Sequence, residues 1–559
     1  MRRRLKLGRW AALALVGAFL LALPLGMPGT ERQGAARSAK LNQVSGVASL
    51  RAPQFAPKKL TARMEAVRAF AGRAVSARAS ASPAGDVFNN DVFGLPQNEE
   101  SVTVCKTNRN LVLSGTNDYR GLIDDNGDFT GWHFSNNGGT SLTNEGLLPT
   151  VASSSGVEVP SGGDPVMVAG DGCALFGGGL AYEPQDPFHG VNGIQVARSD
   201  PDTLASCPTA FPGNDNPACW PINALVAEGA PSHFLDKPWF DVGVSGDAGE
   251  VAWVTYSDFT IDDAAPLGFT QAEIFAVRCD RDLATCTEPI PISVDDLDVQ
   301  FSDVTIAPDG RVYVTWSEII CELPDDPDCP PESGQIFVHK LRIAEPGSTE
   351  FGAEQIVYRE EKAIPFGGFM HANDWRVATY PKSDVAMVGG NPRIFVVWDA
   401  CQFRPLDTIC EEAEIKLSWS DDDGATWSPV RVLSRGGDNY FPSIVSNDAA
   451  RPTLAFTWFS NRRDGAFHNR QDVEFVAMNP ANLQTRGFRR ITSRMNESEA
   501  DPILGGFFIG DYIEVAAVGD RAWVAYNANY LQKTLLGPFE VEGVPVPQQD
   551  NYLRRVSLD

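Results

Sequence analysis

Val312-Tyr313-Val314-Thr315-Trp316-Ser317-Glu318 is the stretch on which the fold turns. Val312, Val314 and Trp316 fall on alternate positions, the period of a half-buried strand and not of a helix. The same phrase, ending in an aromatic or small residue and then a polar one, returns along the chain. It reads LVLSGTND at 111–118, CALFGGG at 173–179, VAWVTYSD at 251–258, IFVVWDA at 394–400, LAFTWFSN at 454–461 and AWVAYNAN at 522–529. These seven occurrences lie 60 to 82 residues apart, and turns such as APDG (307–310) and AVGD (517–520) precede two of them.

A repeat of that length in all-β sequence means one four-stranded antiparallel sheet per repeat, arranged radially as a single β-propeller. Two stacked β-sandwiches are the alternative, but they would not carry one repeat through the chain. Seven blades are expected, with six the alternative if the first or last repeat is an appendage. The last repeat is short, with only 551–558 left as a further strand. A ring must close, so a strand at about 86–93 is expected to complete the final sheet.

The chain before the repeats has another texture. Residues 1–10 are basic and the run 11–25 is apolar, as in a secretory signal peptide. That run is shorter than the roughly 20 residues of a spanning helix, which favours export over an N-terminal anchor. We therefore assign 1–29 to the signal, 30–85 to a flexible or propeptide-like lead, and 86–559 to the propeller. No later run is apolar enough to span a bilayer. Residues 1–80 hold 15 Lys and Arg against Glu31 and Glu65, which leaves 31 of the 46 basic and 70 of the 72 acidic residues to 81–559. A body so acidic repels phosphate backbones, so nucleic acid is not an expected partner. It suits an exported, soluble monomer.

Ten cysteines are present, and the last eight fall into neighbouring couples. In an exported protein these read as local disulfides: Cys207 with Cys219, Cys279 with Cys286, Cys321 with Cys329, and Cys401 with Cys410. Cys105 and Cys173 pair by exclusion. Zinc is the competing reading, but there is no C-x-x-C and the six histidines are scattered. Asp124-Asp125-Asn126-Gly127-Asp128 resembles the opening of a Ca²⁺ loop. Phe129 and Ser135 stand where an EF-hand needs Gly and Glu, so only a Ca²⁺ site of another kind stays open. No metal ligands or other cofactor are assigned. Walker, Gly-x-Ser-x-Gly and His-Glu-x-x-His motifs are missing from the sequence.

Ser420-Asp421-Asp422-Asp423-Gly424-Ala425-Thr426-Trp427 matches the Asp-box pattern S-x-D-x-G-x-T-W at every position. Ser and Asp can satisfy the N–H groups of a tight hairpin, Gly424 permits a left-handed turn, and Trp427 can plug the gap between sheets. Ser135-Asn136-Asn137-Gly138-Gly139-Thr140-Ser141-Leu142 is a weaker copy, and Ala197-Arg198-Ser199-Asp200-Pro201 an eroded third. On these residues and the repeats, 95–559 resembles the sialidase-like, Asp-box (BNR-repeat) propellers. The resemblance implies the fold first, because that superfamily includes hydrolases, lyases and binding proteins. The sialidases' early Phe/Tyr-Arg-Ile-Pro has no counterpart; the nearest string, Pro392-Arg393-Ile394-Phe395, sits in the fifth repeat.

Propeller geometry selects a face. The start of each innermost strand and the end of the next lie together. The starts read Asp164-Pro165, Asp236-Lys237-Pro238-Trp239, Asp303, Asn373-Asp374-Trp375-Arg376, Asn439-Tyr440 and Gly510-Asp511-Tyr512. The ends read Asp118-Tyr119-Arg120, Ser257-Asp258, Ser317-Glu318, Asp399, Ser460-Asn461-Arg462-Arg463 and Asn527. Carboxylates, arginines and aromatics gathered on one side suit a polar, anionic sugar, so a carbohydrate or glycoconjugate is the expected partner. The plainer reading is that a recurrent Asp caps a turn or hydrogen-bonds one repeat to the next.

For a hydrolase, Tyr512 is the candidate nucleophile or stabiliser, Glu318 the base that takes its proton, and Asp236 the general acid/base raised by desolvation against Trp239. Arg120, Arg376 and Arg462 would converge on a substrate carboxylate. Lys237, Trp239, Asp118, Asp374 and Asp511 complete the substrate-binding set. A non-catalytic glycan- or protein-binding propeller and a polysaccharide lyase are the alternatives.

Overall fold

The computed structural model describes residues 95–559 and the backbone of Val87–Phe88, without 123–125, 209–214, 266–267, 295, 297, 321–335, 365–367, 371, 374, 404–408, 448–449, 502–503, 505–507, 531 and 534–545. The signal and lead assignments, the Cys321 and Cys329 couple, Asp124, Asp125 and Asp374 therefore lie outside the described residues.

Among the described residues, seven four-stranded antiparallel sheets form a β-propeller. Their innermost strands are Gln97–Val104 (blade I), Ser161–Ala169 (II), His233–Val244 (III), Val299–Ile306 (IV), Lys382–Val388 (V), Asn439–Ser446 (VI) and Glu514–Val518 (VII). Each innermost strand packs on the next, and that of blade VII returns to blade I. The wheel closes as expected from 86–93: Val87 and Phe88 pair antiparallel with Leu553 and Tyr552, so the N-terminal strand is the outermost of blade VII.

The repeating phrase is the second strand of each blade, and its aromatic residue is an inter-blade plug. Trp253, Trp316, Trp398, Trp458 and Trp523 are all fully buried. Trp253 of blade III packs with Val304 and Val314 of blade IV, and Tyr313 of blade IV with Trp398 of blade V. Each such ring removes ~150–250 Å² from water, roughly 4–6 kcal/mol of transfer free energy as an upper bound. Glycines enter the phrase in the first two repeats for a steric reason, while the second keeps a fully buried aromatic, Phe176. A Cβ at Gly115 would meet Met167 Cε at 2.6 Å, and one at Gly177 would meet Met167 Sδ at 2.9 Å and Trp220 at 3.1 Å. Met167, on the innermost strand of blade II, and Trp220, in the turn ahead of that blade's outermost strand, fill that space.

At 420–427 the Ser420 hydroxyl accepts from Gly424 N at 2.9 Å and donates to Asp422 Oδ1 at 2.8 Å. Asp422 accepts from Thr426 N at 2.8 Å, and Gly424 has φ 82°. The hairpin at 135–142 repeats the scheme, with Ser135 accepting from Gly139 N at 3.0 Å and Asn137 from Thr140 N at 3.1 Å. Trp427 packs against the cluster shared by blades IV and V. The third candidate is not such a hairpin; its Pro201 opens a short helix, Pro201–Ser206, with Asp200 at the N-cap. Among the described residues four disulfides join Cys105–Cys173, Cys207–Cys219, Cys279–Cys286 and Cys401–Cys410. Among the described residues no helix is long and apolar enough to cross a membrane.

Candidate functional site

A shared backbone irregularity builds the site. Six blades enter or approach their innermost strand through a residue at positive φ: Glu99 (59°), Asp164 (52°), Lys237 (52°), Phe301 (55°), Phe441 (54°) and Gly510 (93°). In blades I, II, III, IV and VI the strand register slips at that residue. A left-handed residue other than glycine costs roughly 1–2 kcal/mol, and a bulge re-aims a side chain that a regular strand would send elsewhere. Proline follows the strained residue at Pro165, Pro238 and Pro442. Blade V reaches the same place with Tyr380-Pro381-Lys382 and no positive φ.

The consequence is a pocket where the innermost strands start. It is lined by Asp164 from blade II, Lys237, Pro238 and Trp239 from blade III, Phe301 and Ser302 from IV, Tyr380, Pro381 and Lys382 from V, and Tyr512 from VII. Its empty space is ≈ 350 Å³ with the open mouth included, most of it at the mouth. Trp239 meets Tyr512 edge-to-face at 5.6 Å, and Phe301 stacks on Tyr380 at 4.6 Å. The Lys237 ammonium is 5.7 Å from the Phe301 centroid, and Lys382 lies over the Trp239 ring.

Beneath the pocket lies a buried ionic knot. Asp511 accepts from Arg376 Nε at 2.8 Å, from Arg376 Nη2 and from Lys237 Nζ. Lys237 Nζ is also 3.7 Å from Asp164 Oδ2. Burial alone would raise the Asp511 pKa, but Arg376 and Lys237 outweigh it and hold the carboxyl at about 2. Burial likewise opposes the Lys237 ammonium, yet Asp511 and Asp164 lift it above the ordinary lysine value. Glu99 accepts from Asp511 N at 3.1 Å and from Asn117 Nδ2 at 2.7 Å. Burial, with Asp164 and Asp511 nearby, pushes its carboxyl well above the usual range. Asn117 Oδ1 in turn holds Asp164 N at 2.8 Å.

The wall towards blade V differs. Lys382 is 3.2 Å from Asp303, whose other oxygen accepts from Ser383 N at 2.7 Å. Asp303 is thus a repeat-to-repeat hydrogen bond, as the plainer reading of these positions had it. Asp399 does the same between blades V and VI, accepting from Phe441 N at 3.0 Å, and burial raises it to about 8. Burial pulls the Lys382 ammonium below the usual lysine value although Asp303 opposes this. Glu514, held by Ser101 Oγ at 2.5 Å and Val102 N at 2.7 Å, is pushed up by burial to about 7.

The structure brings together some of the residues named from sequence and separates others. Tyr512, Lys237 and Trp239 line the pocket, while Asp511 and Arg376 form the knot below it. The Tyr512 hydroxyl donates to Pro165 O at 3.0 Å, and burial raises its pKa well above the ordinary phenol value. Glu318 does not meet Tyr512. It belongs to a cluster in which Lys340 contacts Glu318 at 3.0 Å, Asp296 at 2.6 Å and Glu354 at 2.8 Å. Asp236 is fully buried, accepts from Lys237 N at 2.9 Å and does not line the pocket.

The three arginines are spread over separate carboxylates. Arg376 is on Asp511, Arg120 is on Asp118 at 2.9 Å and Glu145 at 3.2 Å, and Arg462 is on Glu474 at 2.9 Å. Asp118 is thereby committed to Arg120 and to Gln97 at 3.1 Å. Asp374 is outside the described residues. The stretch with Arg376 precedes blade V's innermost strand, which starts at Lys382. Sequence reasoning did not select Glu99, Phe301, Tyr380 or Lys382. A signal existed: Asp164-Pro165, Lys237-Pro238, Tyr380-Pro381 and Phe441-Pro442 recur at the strand starts.

No protein-family model matches the chain, and no curated protein matches it by sequence. Solved structures resemble it in form. A protein of unknown function from Dyadobacter fermentans aligns at 9% identity and TM-score 0.44 over 85% of this chain and 98% of its own. Trypanosoma rangeli sialidase aligns at 11% and 0.39 over 73% and 57%, and the GH93 α-L-arabinofuranosidase of Fusarium graminearum at 11% and 0.39 over 71% and 98%. Likenesses this distant assign no residue and no activity here.

Proposed function

We propose that the chain is an exported, glycan-active propeller that draws one polar sugar unit, with an acidic group as its preferred handle, into the pocket at the strand starts. One observation carries the reading. Four blades turn aromatic side chains and two lysines onto one depression at the strand starts. Trp239, Phe301, Tyr380 and Tyr512 offer apolar faces to the C–H face of a sugar ring. Lys237 and Lys382 offer N–H donors to a carboxylate, and Asp164 can accept from a hydroxyl. Glycoside hydrolysis is the first reaction to test, with Asp164 as the carboxylate inside the pocket and Tyr512 as the phenol beside it. Export agrees with the basic-then-apolar N-terminus and the four disulfides.

A second reading, binding without turnover, is favoured by the Tyr512 hydroxyl, which is spent on Pro165 O and has no base within its hydrogen bonds. One experiment separates the two. The purified protein is incubated with sialosides and with plant, algal and bacterial acidic polysaccharides, while new reducing ends and unsaturated uronate are followed. Calorimetry on the same panel measures binding. Reducing ends support hydrolysis, unsaturated products replace it with elimination, and saturable binding alone selects the second reading. Neither turnover nor binding across the panel would sink the glycan reading.

A further inference from the structure

Charge is distributed unevenly around the wheel. Residues 429–496, which contain blade VI, hold ten arginines, no lysine and five carboxylates. That leaves 21 basic and 65 acidic residues to the rest of 81–559. One sector with a balance of +5 therefore sits in a body of −44. An anionic polymer is repelled by most of such a surface and accepted on that sector.

Four of the arginines form one connected cluster. Its floor is Asp472 and Glu474, both 1% exposed, on the third strand of blade VI, Asp472–Met478. Arg462 Nη2 donates to Glu474 Oε1 at 2.9 Å, and Arg463 Nη1 contacts the same oxygen. Arg490, directly opposite Glu474 on the outermost strand, places Nη2 2.6 Å from Asp472 Oδ1. The fourth guanidinium, Arg435, lies 3.9 Å from the centroid of Phe488, and Arg462 is 5.8 Å from the same ring. Among the described residues Arg435 meets no carboxylate and is exposed, and Arg462, Arg463 and Arg490 are half-buried. Four guanidinia thus cover two buried carboxylates and present a surplus of positive charge to solvent.

The cluster opens on the same side of the wheel as the pocket. Arg435 precedes the innermost strand of blade VI by four residues, Arg462 follows the end of the second, and Asn439 pairs with Ser460 between them. A Cβ at Gly437 would lie 2.7 Å from Arg462 Cα, so the two loops run against each other. We propose that the cluster formed by Arg435, Arg462, Arg463 and Arg490 is an outer subsite for a linear polyuronate, and that it grips the carboxylate of a unit other than the one in the pocket. The nature of the chain rests on the glycan reading above; that it is a polymer, and where it is held, are new. A guanidinium's planar fork matches a carboxylate with two parallel N–H donors, which a lysine ammonium does not. The two buried carboxylates hold three of the guanidinia in place and Phe488 holds the fourth, so little side-chain freedom is left to lose on binding.

Calorimetry on the full chain with galacturonic acid and with polygalacturonate separates the two sites. The polymer should bind at least about tenfold more tightly than the monomer and should weaken as NaCl is raised. Arg435→Ser, at an exposed side chain with no ion pair to lose, should weaken polymer binding at least about fivefold and leave monomer binding unchanged, and Arg435→Lys should restore it only in part. Arg463→Gln, which leaves Arg462 on Glu474, is the second variant and should act in the same direction. Polymer binding that is unchanged in both variants, or no tighter than that of the monomer, overturns the outer subsite and leaves the pocket reading standing. Polymer binding that depends on Arg435 without any monomer binding supports the subsite and counts against the pocket. Binding of dextran sulfate or of anionic phospholipid vesicles, with none of polygalacturonate, overturns the proposal and gives the cluster to another anion.

Discussion

The two ends of the innermost strands solve the same backbone problem with opposite chemistry. Where strands turn over to their neighbours, the left-handed positions are mostly glycines, Gly249 at φ 74°, Gly310 at 87°, Gly390 at 89° and Gly519 at 62°, with Cys173 at 68° in blade II the exception. Where the strands begin, left-handed positions are occupied by Glu99, Asp164, Lys237, Phe301 and Phe441. Glycine adopts that conformation freely, whereas the others spend roughly 1–2 kcal/mol each. What the strained end gains is direction. Asp164, Lys237 and Phe301 turn into the pocket, and Glu99 into the knot beneath it. Turnover glycines serve the fold; the strained residues serve the site at the fold's expense.

The largest effect should come from the knot that supports the strained end. Asp511→Ala leaves Lys237 and Arg376 buried without their shared carboxylate and should cost about 3–5 kcal/mol in urea unfolding. A loss below about 1 kcal/mol would show that the knot is not what holds these residues in place.

Acid–base behaviour distinguishes the knot from the inter-blade carboxylates. Asp511, held at about 2, contributes stability that is present above the unfolded carboxyl pKa and disappears as pH falls towards 2. Asp399 and Glu514, raised to about 8 and about 7, act in the opposite sense. Their contribution is complete below the unfolded carboxyl pKa near 4 and is lost as pH rises through the folded values. Tm should therefore fall between pH 5 and pH 8.5, and Asp399→Asn should flatten that fall. A flat wild-type profile would contradict it.

Lys237→Met keeps the stem and removes the charge. It should weaken binding of an acidic sugar at least tenfold, about 1.4 kcal/mol, by calorimetry, with a neutral sugar much less affected. Equal losses for both would assign Lys237 to support and not to recognition.

The smallest pair of effects bears on the comparison itself. Gly310→Ala forces a Cβ into a position with φ 87° and Gly246 N 3.2 Å away, and should cost about 1–2 kcal/mol. Asp164→Gly relieves a comparable backbone cost, so it should change stability by less than about 1 kcal/mol while weakening sugar binding. If Asp164→Gly destabilises as much as Gly310→Ala, strain is not what separates the two ends.

The seven-bladed wheel was legible without coordinates because it rests on local periodicity. Alternation within the second strand, repeated seven times and in all but the first copy with a buried aromatic, states both the sheet and its radial repetition. Closure by 86–93 and the disulfides in the described residues were readable too, since a ring with an open edge is costly and neighbouring cysteines in short loops have few partners. The strand-start face followed from topology alone. Which side chains meet on it did not, because that depends on bulges invisible to a two-residue period. Lys382 and Phe301 read as ordinary strand residues, yet the structure turns them to the axis, whereas Glu318 and Arg120 read as site residues and are spent on Lys340 and on Asp118. The Arg120 pair is local, but the partners of Glu318 and Lys237 are settled by tertiary packing across tens to hundreds of residues. The 274 residues between Lys237 and Asp511 are crossed only by closing the wheel.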